Sequence, residues 1–395
     1  MRQAAKAPSF KEASEDLREL AGLPVSPSHL QRLSGRVGRE WAAARDADVA
    51  AFREGRLSAA RAQPARVATV MVDGGRYQAR EPGGGPGVSG PAWHEVKVAC
   101  CQTLAASAHA ADPQPDPPAK FLDPVQAARL AAEIKSRGRA AAGRAAAADP
   151  PRSKRRRKRK RKRKRSGPRK LVRTVVASTA DSEAFGWQVA AEVQRRGLDR
   201  AKAKGYICDG QKYNWAIFAL HFVAWGFIPI LDFLHLLGYL HGAAQAAFGK
   251  GTAAAWSAYE RWLRWAWSGR VEDLLAELRA ASLKLGAPPP GCPEDDPRRV
   301  AAEAAGYVEN NRGRMDYPRY RRLGLPISSA AVESTIKPIN RRIKGTEKFW
   351  LEGGAEAVLQ LRAAHLSEDG RAEDYWSRPR PYARAAGQGS LRPAA

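Results

Sequence analysis

The sequence predicts an α/β fold built on a mixed sheet, and three stretches predict it. Residues 205–235, GYICDGQKYNWAIFALHFVAWGFIPILDFLH, open with a short apolar run (Tyr206, Ile207, Cys208) ended by Asp209-Gly210. A segment of helical length follows, with Trp215, Phe218 and Phe222 at helical spacing, and then a second apolar run, 227–231, ended by Asp232. Residues 67–72 form a run rich in β-branched side chains that enters Asp73-Gly74-Gly75, and residues 171–178, LVRTVVAS, form another. Strand, acid, helix, strand, acid is how an open sheet presents carboxylates at the C-terminal edge of its strands, where such sheets carry their chemistry. On these residues alone, Asp209 and Asp232 are equally well explained as ordinary strand-end turn residues. A membrane span over 215–231 is disfavoured, because the stretch holds His221, Gly226 and Pro229, is flanked by acids, and a span needs about 20 residues.

Taken in order, residues 9–44 read as a helical hairpin. Ser9 and Glu12 make a capping box ahead of Ala13, Leu17 and Leu20 on one face. Gly22 and Pro24 break the chain, and Ser26 caps a second helix with Pro27 at its first position and Leu30, Leu33 and Val37 as its apolar stripe. The hairpin has the size of a DNA-binding helix-turn-helix, although most such hairpins are structural and Gly35 and Gly38 weaken the second helix. After the strand at 67–72 and a Gly/Pro loop, residues 93–98 (WHEVKV) alternate as a second, antiparallel strand; 105–120 read as loop, and 124–135 as a short helix capped by Asp123. Residues 140–170 are of low complexity. The strand at 171–178 precedes an amphipathic helix, 181–195, with Phe185, Val189 and Val193 on one face. Three strands, a helix, a strand, a helix and a strand is the order of a ribonuclease H-like core, in which the first and fourth strands each deliver an acid, here Asp73 and Asp209.

Residues 236–285 have a helical pattern rich in tryptophan (Trp256, Trp262, Trp265, Trp267), read as an aromatic core in preference to a base-stacking surface. A proline-rich linker, 286–297, leads to further helix and a basic stretch at 307–322. In LPISSAAVESTIKPINRRIKG, Pro326 and Ser328/Ser329 mark a helix start with Glu333 just inside it. Lys337, Arg341 and Lys344 follow at spacings of four, four and three, on the face of Glu333. A carboxylate heading a basic stripe suits a metal site beside a phosphate backbone; a solvated face of helical ion pairs explains it equally well. Pro338 predicts a kink or an early stop.

The chain has 395 residues, enough for one large or two ordinary cores, with 44% hydrophobic residues and a net charge of +27. Twelve consecutive Lys/Arg residues, 154–165, leave +15 elsewhere, which points to a polyanionic partner, nucleic acid before membrane. Like-charge repulsion predicts that this run is a solvated, disordered insertion, serving as a non-specific DNA contact, a targeting signal or merely a tolerated surface loop. The four cysteines show neither metal-ligand spacing nor a disulfide framework, and no signal peptide is evident, so a reducing cytoplasm is the expected compartment.

Six segments carry a resemblance: VDGG at Asp73, WHEVKV at Trp93, ICDGQKYNW at Asp209, ILDFLH at Asp232, LPISSAAVES at Glu333, and the following RRIKGTEKFWLEGGAEAVLQLR. Together they resemble the DDE transposases of bacterial insertion sequences, nearest to the ISKra-type group akin to the Mutator-like superfamily, over residues 9 to about 376. The resemblance implies a ribonuclease H-like catalytic core (61–235 and 326–376), a helical insertion domain (236–325), an N-terminal helical region (1–60) and a disordered tail (377–395). It implies that Asp73, Asp209 and Glu333 are catalytic and hold two Mg²⁺ ions, with Mn²⁺ as substitute, about 4 Å apart. Asp232 and His235 match the family's signature of Cys or Asp, two residues, then His. Lys337, Arg341, Arg342 and Lys344 would contact DNA. The implied partners are terminal inverted repeats and target DNA, bound by a homo-oligomer away from any membrane. Counting strands places Asp209 on the fourth and Asp232 on the fifth, which assigns Asp209 to metal binding and Asp232 to support or DNA positioning. The polybasic run, Pro338 and a short N-terminus depart from the family pattern. Two other readings stay open: a ribonuclease H-like nuclease without strand transfer, and an inactive DNA-binding remnant.

Overall fold

A computed structural model describes residues 2–59, 65–80, 93–141, 167–345 and 348–378. The polybasic run and the expected tail beyond residue 378 lie outside the described residues. Helices α1 (Arg2–Lys6), α2 (Phe10–Ala21) and α3 (Pro27–Arg53) precede strands β1 (Val67–Ala79) and β2 (Trp93–Ala105). After α4 (Pro124–Ala141) come β3 (Arg169–Ser178), α5 (Ser182–Arg195), β4 (Ala203–Cys208), α6 (Lys212–His221) and β5 (Ile228–Leu231). Five helices follow: α7 (Phe233–Phe248), α8 (Ala253–Trp267), α9 (Val271–Leu285), α10 (Pro297–Asn311) and α11 (Tyr317–Arg322). The described chain closes with α12 (Ala330–Ile343), β6 (Phe349–Trp350), α13 (Glu352–Leu366) and α14 (Arg371–Ser377).

The sheet is open and mixed, in the order β3-β2-β1-β4-β5, with β6 pairing the far end of β1. β1, β2 and β3 are antiparallel neighbours, whereas β4 and β6 run parallel to β1 and β5 runs parallel to β4. Side chains alternate across a strand, so the register sorts them by face. Met71 stands opposite Cys100, whose Sγ lies 3.1 Å from Thr335 Oγ1 on α12. Val70 stands opposite Cys101, beside Glu192 and Arg196 around α5. Met71, Asp73 and Gly75 therefore belong to the α12 face, and Val70, Val72 and Gly74 to the α5/α6 face. On that second face Tyr206 meets the rings of Trp215, Phe218 and Phe222.

β1 runs well past the expected 67–72, because β2 pairs it without a break through Asp73, Gly74 and Gly75 to Gln78. β2 likewise takes in Cys100 and Cys101 and ends only at Ala105, and α4 extends beyond residue 135. The hairpin α2–α3 has its expected caps, Ser9 on Glu12 N and Ser26 on His29 N. Its second helix is much longer than expected and continues through both glycines. A Cβ at Gly38 would fall 2.1 Å from the carbonyl oxygen of Ala357, so Gly38 is the point where α3 and α13 touch backbone to backbone. Leu20, expected on the apolar face, is 84% exposed. α12 continues through Pro338 without ending there.

The segment between β5 and α12 is helical, and its apolar residues join the core of the sheet in one continuous cluster. Trp262 and Trp267 are buried in it, their indole N–H groups donating to Glu277 Oε2 (2.9 Å) and the Gln114 carbonyl (2.9 Å). Among the described residues no helix is long and apolar enough to cross a membrane.

Candidate functional site: the acidic end of the sheet

The site forms where β1, β4 and β5 run parallel. Met71 is opposite Ile207, so Asp73 and Asp209 each stand two residues further along neighbouring strands and on the same face. Cys208 is opposite Leu231, and the Asp232 N–H donates to the Cys208 carbonyl at 2.9 Å, which sets Asp232 beside Asp209. Three acids are thus presented side by side on the face covered by α12, whose first turn carries Glu333.

Each acid is held differently. The Asp73 carboxylate accepts from the N–H of Gly74 (2.7 Å). Its pKa is raised to about 7, first by burial and then by the negative charge of Asp209, with Glu333 adding to the effect and His235 opposing it. Asp209 Oδ1 accepts from Gln211 N (3.1 Å) and Asn214 Nδ2 (3.0 Å), and its main-chain carbonyl accepts from the Tyr307 hydroxyl (2.8 Å). Gly210 makes the turn after it at φ +92, with Tyr307, Leu231 and Asn311 too close to admit a Cβ.

Asp232 is fully buried and caps α7. Its Oδ1 accepts from Leu234 N (3.1 Å) and Ser329 N (3.2 Å); its Oδ2 accepts from Ser329 Oγ (2.6 Å) and His235 Nδ1 (2.5 Å). Burial opposes the charge of both partners, yet their mutual hydrogen bond prevails, holding the Asp232 carboxyl below its usual range and raising the His235 imidazole to about 9. A ligand atom from each of Asp232, His235 and Glu333 lies within 4.8 Å of the others, the tightest set of metal-type donors among the described residues. Asp73, Asp209 and Glu333 do not form a set of that spacing. The two Asp232 oxygens thus accept four donors, two of them from Ser329, which immediately precedes α12 and its Glu333.

The basic residues divide. Lys337 and Arg341 are exposed on α12, with Lys337 reaching Glu133 at 3.3 Å. Lys344 falls just past the helix end in extended backbone, its ammonium 5.8 Å from the Trp93 ring centre. Arg342 departs from expectation: it is buried, its guanidinium 4.0 Å over the Phe10 ring and donating to the Pro8 carbonyl (3.2 Å), so it fastens the N-terminal helices and does not face solvent. Asn214, Tyr307 and Asn340 belong to the surroundings of the site but were not singled out in the sequence. Asn214 lies five residues after Asp209 in the ICDGQKYNW segment, a spacing that would have pointed to it; the other two are distant in the chain and left no signal.

A scan of protein-family models and a search of curated proteins find no match to this chain.

Proposed function

We propose that this chain is a DDE-type DNA transposase with a ribonuclease H-like core, cutting phosphodiester bonds and joining the freed 3′ ends at the acidic end of its sheet. The observation that carries this reading is the register: parallel β1 and β4 place Asp73 and Asp209 side by side on the face where α12 brings Glu333. Burial, and after it the charge of Asp209, raises Asp73 to about 7, so a counter-cation would favour its charged form, and an oxygen-only donor set suits a hard divalent ion such as Mg²⁺. The bound ions supply Lewis-acid polarisation of the scissile phosphate and charge compensation for the attacking and leaving oxygens. Asp73, Asp209 and Glu333 would hold them. Asn214 and the Gln211 N–H keep Asp209 oriented, and the Asp232–Ser329 contact keeps the start of α12 in place. Protonated His235 contributes positive charge beside the acids. Exposed Lys337 and Arg341 supply phosphate contacts without sequence preference.

The test is strand joining. Purified protein is incubated with Mg²⁺, a plasmid target and labelled duplexes made from the DNA flanking its gene. Transfer of labelled 3′ ends into plasmid supports the reading; cleavage with no joined product under any flank would reduce it to a nuclease.

A further inference from the structure

Past the acids, the edge of β1 is unpaired among the described residues. β4 pairs with it only as far as Met71, and β6 begins only at Gln78. The interval between them leaves a notch in the described sheet edge, with Asp73 and Asp209 at one end and the 344–345 turn at the other, where Gln78 Nε2 donates to the Gly345 carbonyl (2.7 Å). The notch is floored by Gly74 and Gly75. A Cβ on Gly75 would lie 2.9 Å from Asn340 Oδ1, and one on Gly74 would lie 3.3 Å from the Tyr213 hydroxyl, so Asn340 and Tyr213 flank this stretch and larger residues there would press on both. Beyond it stand Arg76, Lys344 and Trp93. Arg76 and Lys344 are close enough that the Arg76 charge, after burial, holds the Lys344 ammonium below its usual range. Glu95, opposite Arg76 in the register, is instead within 3.5 Å of Lys97. Trp93 is half-buried, and the Lys344 ammonium sits at the outer limit of a cation–π contact with it.

We propose that this notch is a subsite for an unpaired DNA strand, which crosses the glycine edge of β1 next to the acids and places one phosphate between Arg76 and Lys344 and one base against Trp93. A duplex is too broad to cross a single-strand edge. Two adjacent cations supply what a phosphate needs, and the indole supplies a stacking surface that accepts any base. The site rests on the transposase reading and deepens it, by making the DNA beside the cut single-stranded when bound.

The test is binding without divalent cation, so that cleavage cannot enter. Full-length protein is titrated with a duplex bearing a single-stranded 3′ extension that contains 2-aminopurine, and with the blunt duplex. The extension should tighten binding about tenfold and quench the probe by stacking. Trp93→Leu should abolish quenching and most of that preference, while Trp93→Phe retains both. Arg76→Ala with Lys344→Ala should lower the slope of log affinity against log salt by about 0.7, the one phosphate of a single strand that the pair holds. Thermal melts confirm that the variants fold. Equal affinity for blunt and extended DNA, or quenching unchanged in Trp93→Leu, would overturn the inference while leaving the cleavage chemistry untouched. Failure of cleavage with the extension preference intact would overturn only the transposase reading.

Discussion

Gly38→Ala sets helix propensity against packing. Gly38 lies inside the long helix α3, where replacing glycine with alanine in an exposed interior position stabilises by about 1 kcal/mol. Here the added methyl would lie 2.1 Å from the Ala357 carbonyl oxygen, 2.5 Å from its carbon and 2.6 Å from its Cα. These are backbone atoms of α13, unable to rotate away, so the two helices must part by more than about 1 Å, a gap at which dispersion contacts forfeit a quarter to a half of their well. Overpacking of this kind costs about 1–3 kcal/mol, and an unyielding neighbour puts it near the top of that range, for a net loss of about 2 kcal/mol. Gly35→Ala is the control: its methyl would meet only the Arg39 Nη1 tip at 3.4 Å, and it should stabilise by about 0.5–1 kcal/mol. Urea denaturation of the two variants reads opposite signs. Equal stabilisation by both would refute the docking of α3 on α13.

Glu192 is buried between Arg195 and Arg371, which overcome the burial penalty and hold it at about 2. A folded pKa below the unfolded value means stability present above about pH 4.5 and lost as pH falls towards 2, worth roughly 3 kcal/mol in full; Glu192→Gln should flatten the acid limb of a denaturation-against-pH curve, and an unchanged limb would contradict the pairing. Arg342→Ala should lower stability by about 2 kcal/mol with little change in the salt dependence of DNA binding, whereas Arg341→Ala should reduce the salt slope by about 0.9 and spare stability. The reverse pattern would mean that the two arginines had been assigned to the wrong sides of α12. Asp232→Asn should bring the His235 pKa, followed by NMR, down from about 9 towards 6.5, with cleavage weakened but still measurable; a His235 titration that did not move would dissolve the pair.

Much of the α/β framework was legible because its signals are local. The apolar runs ending at Asp209 and Asp232 are strands β4 and β5, and Ser9, Ser26 and Asp123 cap the helices they were expected to cap. The misreadings share a cause in long-range contact. Gly74-Gly75 looked like a strand terminus, yet β2 pairs straight through it, and no local rule anticipates a partner some twenty residues away. Pro338 was expected to interrupt a helix, but α12 rests on β1 and β2 and continues. Arg342 shared a basic run with Arg341, and only the placement of Phe10, more than three hundred residues earlier, turns one inward and leaves the other in solvent. Glu356 gave no sign of its place, yet it gathers Ser178, Thr179, Gln360 and Arg45 around one carboxylate. In the candidate site the aspartates were readable from strand ends, while Tyr307, which holds the Asp209 main chain, comes from a remote helix.

The measurement that bears most directly on the role of the acidic sheet edge is Mg²⁺-dependent nicking of supercoiled DNA by wild type and four single variants, each with its DNA affinity measured alongside. Asp73→Asn, Asp209→Asn and Glu333→Gln should each abolish nicking while binding DNA as wild type does, and Asp232→Asn should retain measurable nicking. Full activity in Asp209→Asn together with complete loss in Asp232→Asn would contradict the assignment and move the chemistry to the Asp232–His235–Glu333 cluster.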